Sequence, residues 1–256
     1  MLDTWINSIS FWFKSWHYEV GEIICQPFIF ILPKALQSHC TRMMDGFFTT
    51  FELVAVSIVL SFSLAKFLTQ LLFSGPAYLH RPIKFYMYFF QGTPVLIQLW
   101  LMYYGLAQFA AVQNSIFWIF LSSGWWIGLL VLTLNSAAYQ VNLLDGAIRN
   151  LPYGQIESGR SLGLSNSSIF NHILFPQALR LALPALTNEA ILVLKASALV
   201  STITVLDLMG HSRTIFARSY DLSIYGAASI LYISLTGLIT FTAFWIRRHL
   251  TAKNPL

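Results

Sequence analysis

Five apolar blocks punctuate the chain, at about Gly46–Phe73, Phe85–Val112, Ile116–Tyr139, Ala185–Met209 and Leu222–Ile246. Each is long enough to cross a bilayer, which takes ~20 residues of helix. Backbone in hydrocarbon must satisfy its own hydrogen bonds, so the blocks predict helices rather than sheet. The fold class expected is an all-α membrane protein with five transmembrane helices. Gly92-Thr93-Pro94 interrupts the second block. Proline lacks a backbone donor and clashes with the preceding turn, so a kink or an unwound turn is expected there. Such a break is tolerated where protein or a cavity covers the freed groups. Thr93 and Pro94 therefore read either as a packing kink or as the lining of a pathway. Residues 1–45 are aromatic-rich, but their longest clean apolar piece, Pro27–Leu32, is too short for a signal-peptide core. Lys14, Glu19, Glu22 and Lys34 interrupt any span, which points to an amphipathic segment on the periplasmic side.

Between the third and fourth blocks lies a polar stretch, GQIESGRSLGLSNSSIFNHILFP, from Gly154 to Pro176. It predicts two short helices. Glu157 to Leu162 forms about one turn, with Gly163 placed to end it in a left-handed conformation. Ser165 is the expected N-cap of a second helix running through Ile173, which Pro176 then closes. Ile169, Phe170, Ile173 and Leu174 recur at helical spacing as one apolar stripe. Such a stripe either lies on lipid headgroups or docks in a groove of another protein.

Composition fits this picture: 56% of residues are hydrophobic and only 10% are charged, against roughly 25% charged in soluble domains. The formal charge of +5 comes from residues scattered between apolar blocks, with no basic stripe for nucleic acid. They read as topology signals. With the N-terminus outside, Arg81, Lys84, Arg149, Arg160, Arg180, Arg247, Arg248 and Lys253 fall inside, and Lys14, Lys34, Arg42, Arg213 and Arg218 outside. The excess favours a periplasmic N-terminus, a cytoplasmic 247–256 tail and a cytoplasmic Gly154–Pro176 stretch. Cys25 and Cys40 suggest neither a metal site nor a disulfide framework; they could pair if both face the periplasm, but buried free thiols are the expectation. The six histidines are dispersed, which disfavours a membrane-embedded enzyme. No internal repeat of the kind common in secondary transporters is visible, and no phosphate-binding loop exists, so ATP hydrolysis would belong to another chain.

The polar stretch also carries a resemblance. Glu157-Ser158-Gly159, Gly163, Ile173 and Pro176 follow the spacing of the cytoplasmic EAA loop of ABC-importer permeases, with Ser-Gly in place of two alanines. QGTPVLIQLWLMYYGL (Gln91–Leu106), LNSAAYQVNLLDGAIRNLPYGQ (Leu134–Gln155) and PQALRLALPALTNEAILVLKASAL (Pro176–Leu199) resemble the polar amino-acid permeases of that class, in the family's order, from about Met44 onward. LNSAAY, SYDLSIYGAA and the Asp207–Gly210 turn look most like the family's arginine transporters, with the histidine transporters next. The resemblance implies a non-enzymatic permease subunit in a bacterial inner membrane. Its transmembrane domain would span 46–246, with a coupling loop at about 150–180 between helices 3 and 4. Glu157, Ser158, Gly159, Gly163, Phe170, Ile173 and Pro176 would couple to an ATPase. Implied partners are a second permease, a different chain rather than a copy, two cytoplasmic ATPases that carry ATP and Mg²⁺, a periplasmic binding protein and the lipid bilayer. No cofactor is expected in this chain. Arginine is the favoured substrate; histidine, lysine, ornithine and opines are the alternatives, and a non-ABC scaffold is the distant one.

Pathway candidates follow from polarity inside the spans. A charge at the bilayer centre is costly and marks a functional position. Glu52 and Lys66 lie near helix ends and are expected to snorkel to the headgroups. Glu189 and Lys195 are six residues apart, ~120° around a helix, and cannot pair with each other. Lys195 is expected to face the pathway or the partner permease, and Glu189 to be structural or gate-forming. Tyr139, Gln140 and Asn142 on the third helix, Thr93, Pro94 and Gln98 on the second, and Asn188 and Ser197 on the fourth complete the set, with interhelical bonding as the alternative. Many members of the resembled family carry glutamate where this chain has Asn142, so a neutral dipole replaces the charge that suits a cation.

Overall fold

A computed structural model describes residues 16–26 and 39–252. Among these, all regular structure is helical. Four stretches are long and apolar enough to cross a membrane: Cys40–Ser74, Gly124–Arg149, Asn166–Ile203 and Ser223–Leu250. After a helix at 16–26, the α-helices in chain order are α1 (Cys40–Ser74), α2 (His80–Gly92), α3 (Val95–Trp100), α4 (Ala110–Gln113), α5 (Trp118–Leu121), α6 (Gly124–Arg149), α7 (Gly154–Ser161), α8 (Asn166–Ile169), α9 (Phe175–Ser197), α10 (Leu208–Ser219) and α11 (Ser223–Ala252). Pro27–Leu32, Lys14, Lys34 and Lys253 lie outside the described residues.

The second apolar block is not one helix. Proline forces the preceding residue out of the α region, and Thr93 is extended at φ −116°, ψ 139°. Its hydroxyl donates back to the Phe89 carbonyl, 2.8 Å away. Past the break, α3 passes into a π-helical turn, Leu101–Gly105, and then a 3₁₀ turn, Leu106–Gln108. No piece reaches the length of a span. The third helix also differs from the expected Ile116–Tyr139. It starts at Gly124, where a Cβ would run into the Ile203 carbonyl, and continues through the polar residues to Arg149 because their side chains find partners within the bundle.

The chain divides into two compact units. One comprises the described residues of Met1–Ala55 with Gln98–Leu129 and Leu194–Thr236. Here residues 16–26 form a helix laid antiparallel on α1: His17 stacks on Phe48 at 5.4 Å, a Cβ on Gly21 would meet the Met44 Cβ at 3.1 Å, and Cys25 is bonded to Cys40. Both strips run i, i+4, i+8, the spacing of one helix face. Free thiols were expected, and the disulfide corrects that reading. The two cysteines are 15 residues apart, too few to suggest a framework, yet the hairpin brings their Cα atoms to 6.1 Å. Closing a loop of this size is worth about 3 kcal/mol in the chain-entropy account.

α10 closes the same unit. Gly46 leaves no room for a Cβ beside Leu208, whose N–H donates to the Thr50 hydroxyl at 3.0 Å. Met43, Leu208, Ile215, Ile224 and Ala228 form its apolar core. Asp207 caps α10 by accepting from the Gly210 N–H at 2.8 Å, and it is fully buried. Burial pushes its carboxyl up to about 7, although the N–H groups of Gly210 and Met209 and the nearby His211 oppose this. A carboxyl whose pKa is raised on folding, from an ordinary value near 3.9, stabilises the fold through its bound proton. That contribution is complete below about pH 4 and is lost as pH rises to about 7. The melting temperature of the purified protein should therefore fall across this window. Asp207→Asn, which keeps the cap, should flatten that fall; an unchanged pH profile would refute the assignment.

The second unit comprises Val56–Ile97, Leu130–Val193 and the described residues of Gly237–Leu256. Ala65, Ala137, Val141, Leu144, Phe170, Leu174 and Ala178 are among its core residues. Lys66 does not simply snorkel: its Nζ sits 4.6 Å from the Phe175 ring centroid, a cation–π contact.

Candidate functional site

The polar stretch folds as a helix, a reversal and a second helix. At the end of α7, the Leu164 N–H donates to the Gly159 carbonyl at 3.1 Å and the Gly163 N–H to the Arg160 carbonyl at 2.9 Å. This pair of bonds is a Schellman motif, and Gly163 sits at φ +74° as it requires. Ser165 comes next as the N-cap of α8, accepting from the Ser168 N–H at 3.2 Å. Gly159 is buried because α7 presses on α8 and the turn after it: a Cβ there would stand 2.9 Å from Ile169 Cγ1 and 3.3 Å from Ile173 Cδ1. The glycine that helix propensity marks as a weak point is thus a contact point. Gln155 and Gln177 exchange amide hydrogen bonds of 3.1 and 2.9 Å, and Gln70 donates to Ser167 at 2.8 Å, pinning the loop to α9 and α1.

Two expectations for this loop are overturned. The stripe does not lie open for headgroups or a partner's groove. Ile169, Phe170 and Leu174 are fully buried and Ile173 half-buried, with Phe170 between Phe73 at 5.9 Å and Phe175 at 5.7 Å. The periodicity marked a buried face, and the chain's own core covers it. Nor does Pro176 close the second helix. Phe170–Leu174 is a π-helical turn that leads directly into α9, and Pro176 is the second residue of that helix, near a terminus where a missing donor costs little. The loop leaves Tyr153, Glu157, Ser158, Arg160, Leu162 and Leu164 exposed. Leu162, at 80% exposure, is its apolar tip.

The pathway candidates separate by burial. In the second unit, Gln91 is held on one side by the Ala138 carbonyl, 2.8 Å from its amide nitrogen, and on the other by the Asn142 amide, which donates to it at 2.9 Å. The Tyr139 hydroxyl donates to the Gln91 backbone carbonyl at 3.3 Å. Tyr139, Asn142, Pro94 and Asn188 are exposed on the isolated chain, and Thr93 is half-exposed. Gln140 is buried and donates to Ser61 at 2.8 Å and Ser136 at 2.9 Å, so it ties helices together. Glu189 is buried against the Ser136 hydroxyl. In the first unit, Lys195 is exposed, while Gln98 and Ser197 are buried, Ser197 donating to the Leu194 carbonyl at 2.8 Å. Gln98, Gln140 and Ser197 thus sit within the chain's own packing, where a buried polar group is bonded inside the protein.

Sequence reading also missed a cluster in the first unit. Trp100 Nε1 donates to the Thr202 hydroxyl, Tyr103 and Thr204 share a hydroxyl–hydroxyl bond, and Tyr104 donates to the Thr202 carbonyl, each at 3.1 Å. These aromatics flank or form the π turn, and Thr204 is left-handed at φ +71°. The YYG run was the available signal.

Comparison with known proteins places this geometry. Residues 57–254 match the family described as binding-protein-dependent transport system inner membrane component. The chain is 42% identical over 205 residues to the arginine ABC transporter permease protein ArtM of Haemophilus influenzae, covering 80% of this chain and 90% of that protein. It is 33% identical to the octopine transport system permease protein OccM of Rhizobium radiobacter, over 81% of this chain and 85% of that protein. Among solved structures, a chain of an amino acid ABC transporter crystallised with histidines aligns at TM-score 0.70 and 27% identity, over 83% of this chain and 95% of that one. The MetNI methionine ABC transporter, at TM-score 0.71 and 21% identity over 86% of this chain and 100% of that one, shares the fold. The chain belongs to the binding-protein-dependent transport system inner membrane components and is a permease subunit of an ABC importer, not an enzyme.

Proposed function

We propose that this chain lines the pathway of an importer for a basic amino acid, arginine foremost, and transmits ATP-driven motion through the Gly154–Pro176 loop. The observation that carries the reading is the loop itself: a capped helix–reversal–helix packed on its own bundle, with Leu162 and a polar face left exposed. In this reading the broken second block makes the fifth crossing. A second, different permease completes the pathway, two cytoplasmic ATPases hold ATP and Mg²⁺, and a periplasmic binding protein delivers substrate. Glu157, Ser158, Gly159 and Gly163 shape the coupling loop. Thr93, Pro94, Tyr139, Asn142, Asn188 and Lys195 face the pathway or the partner permease. An exposed Asn or Lys within a span is costly against lipid, which supports that assignment.

Orientation gains an argument that charge counting lacks. Disulfides persist in oxidising compartments and are rare in the cytoplasm, so Cys25–Cys40 supports an outside position for the start of α1. Five crossings then leave the loop and the C-terminal tail inside. With both native cysteines paired, single added cysteines report sidedness cleanly. Ser167→Cys should label only from the cytoplasm and Ser219→Cys only from the periplasm, with the reverse at either site refuting the topology.

Arginine is favoured by the kinship with ArtM. Octopine is the second reading, supported by kinship with OccM; it shares the guanidinium group. Uptake of labelled arginine by cells expressing the full assembly, challenged with unlabelled arginine, octopine, histidine, lysine and ornithine, decides between them. Arginine should compete best, and no arginine uptake by an assembled complex would overturn the assignment.

A further inference from the structure

A carboxylate lies between two imidazoles in the first unit. His17 Nδ1 is 3.7 Å from Asp45 Oδ1, and His211 Nε2 is 3.2 Å from Asp45 Oδ2, with all three side chains mostly buried. They come from three elements: the 16–26 helix, α1 and α10. The family match begins at residue 57, so His17 and Asp45 precede the part of the chain that it accounts for. We propose that His17–Asp45–His211 is an acid-strengthened clamp, fastening the N-terminal helix and α10 to the outer end of α1.

A carboxylate attracts a protonated imidazole, and at 3.7 and 3.2 Å both rings stand within ion-pair reach of Asp45. A ring that carries a proton makes the contact an ion pair, and histidine is the side chain that gains charge between about pH 5 and 8. The other ionisable groups around the cluster act with it or on it. On α1, Glu52 acts electrostatically on His17, while Arg42, one turn before Asp45, is exposed. On α10, Asp207 acts on His211 and Arg213 is exposed. From α11, Tyr232 faces Asp207. The disulfide closes the other end of the same helix pair, two turns from His17, so the clamp sets how often that end opens.

The rate at which a phosphine reductant opens Cys25–Cys40 in the intact, purified protein reads this directly, with the freed thiols counted by a mass tag. At about pH 6, Asp45→Asn should be reduced several-fold faster than wild type, and at about pH 8 the two should converge. His17→Gln should behave likewise and serves if Asp45→Asn does not fold. Asp207→Asn should retain the wild-type contrast, which separates the clamp from the neighbouring carboxyl. Equal rates at the acid pH, or a variant-to-wild-type ratio that does not change with pH, would overturn the clamp.

Discussion

Leu162→Asp should give a permease that inserts and assembles at wild-type levels but no longer couples ATP hydrolysis to uptake, whereas Phe170→Asp should give almost no assembled permease. The two positions are eight residues apart in one loop, and burial separates them. Leu162 is 80% exposed on the isolated chain, so a carboxylate there costs the fold little and falls on the face proposed to meet the ATPase. Phe170 is 0% exposed and packed between two phenylalanines. Emptying such a site alone costs about 3–5 kcal/mol, and an unpaired buried charge adds to it. Typical domain stabilities are only about 5–15 kcal/mol. Uptake and substrate-stimulated ATPase activity in reconstituted complexes, with membrane expression as the control, give the answer. Normal coupling in Leu162→Asp would remove the loop from the ATPase interface. Full expression of Phe170→Asp would contradict its burial.

The second large effect concerns asymmetry between the two permeases. Asn142 bonds Gln91 and offers no charge, yet a desolvated guanidinium needs a carboxylate or dense hydrogen bonding. A second permease is expected to supply an acid at the matching position of its third helix. Asn142→Ala should then weaken arginine uptake about fivefold, the value of a neutral bond near 1 kcal/mol. Neutralising the partner's acid should cost roughly 10- to 150-fold, from about 1.5–3 kcal/mol for a charged one. Competition assays on the copurified complex measure both. A functional homodimer at full rate, or complete loss of uptake in an assembled Asn142→Ala complex, would defeat the idea, with Glu189 the next acid to test.

Much of this architecture was legible in residue pattern. Apolar length marks four spans, Gly-Thr-Pro marks the break in the second block, and Gly163 and Ser165 mark the loop's cap and N-cap. These are local effects, fixed by backbone chemistry within a few residues. What the pattern could not give is direction. Ile169 and Phe170 are apolar whether a partner or their own core covers them, and Gln98, Gln140 and Ser197 are polar whether they face a pathway or a neighbouring helix. Pro176 was misread because a π turn has no sequence signature of its own. The cysteines needed the register of His17, Gly21 and Cys25 against Cys40, Met44 and Phe48, which shows only once two helices are laid side by side.

On the proposed topology, the Cys25–Cys40 bond ties maturation of this subunit to a chemistry found outside the cytoplasm. Helix 16–26 precedes α1 in the chain, yet the bond cannot lock it until Cys40 has also reached an oxidising compartment. Thiol oxidation there becomes a late checkpoint in biogenesis. A chain produced where oxidation fails would keep its N-terminal helix without that covalent tie, so on this topology the supply of an extracytoplasmic oxidant would bear on how much finished permease a cell can make.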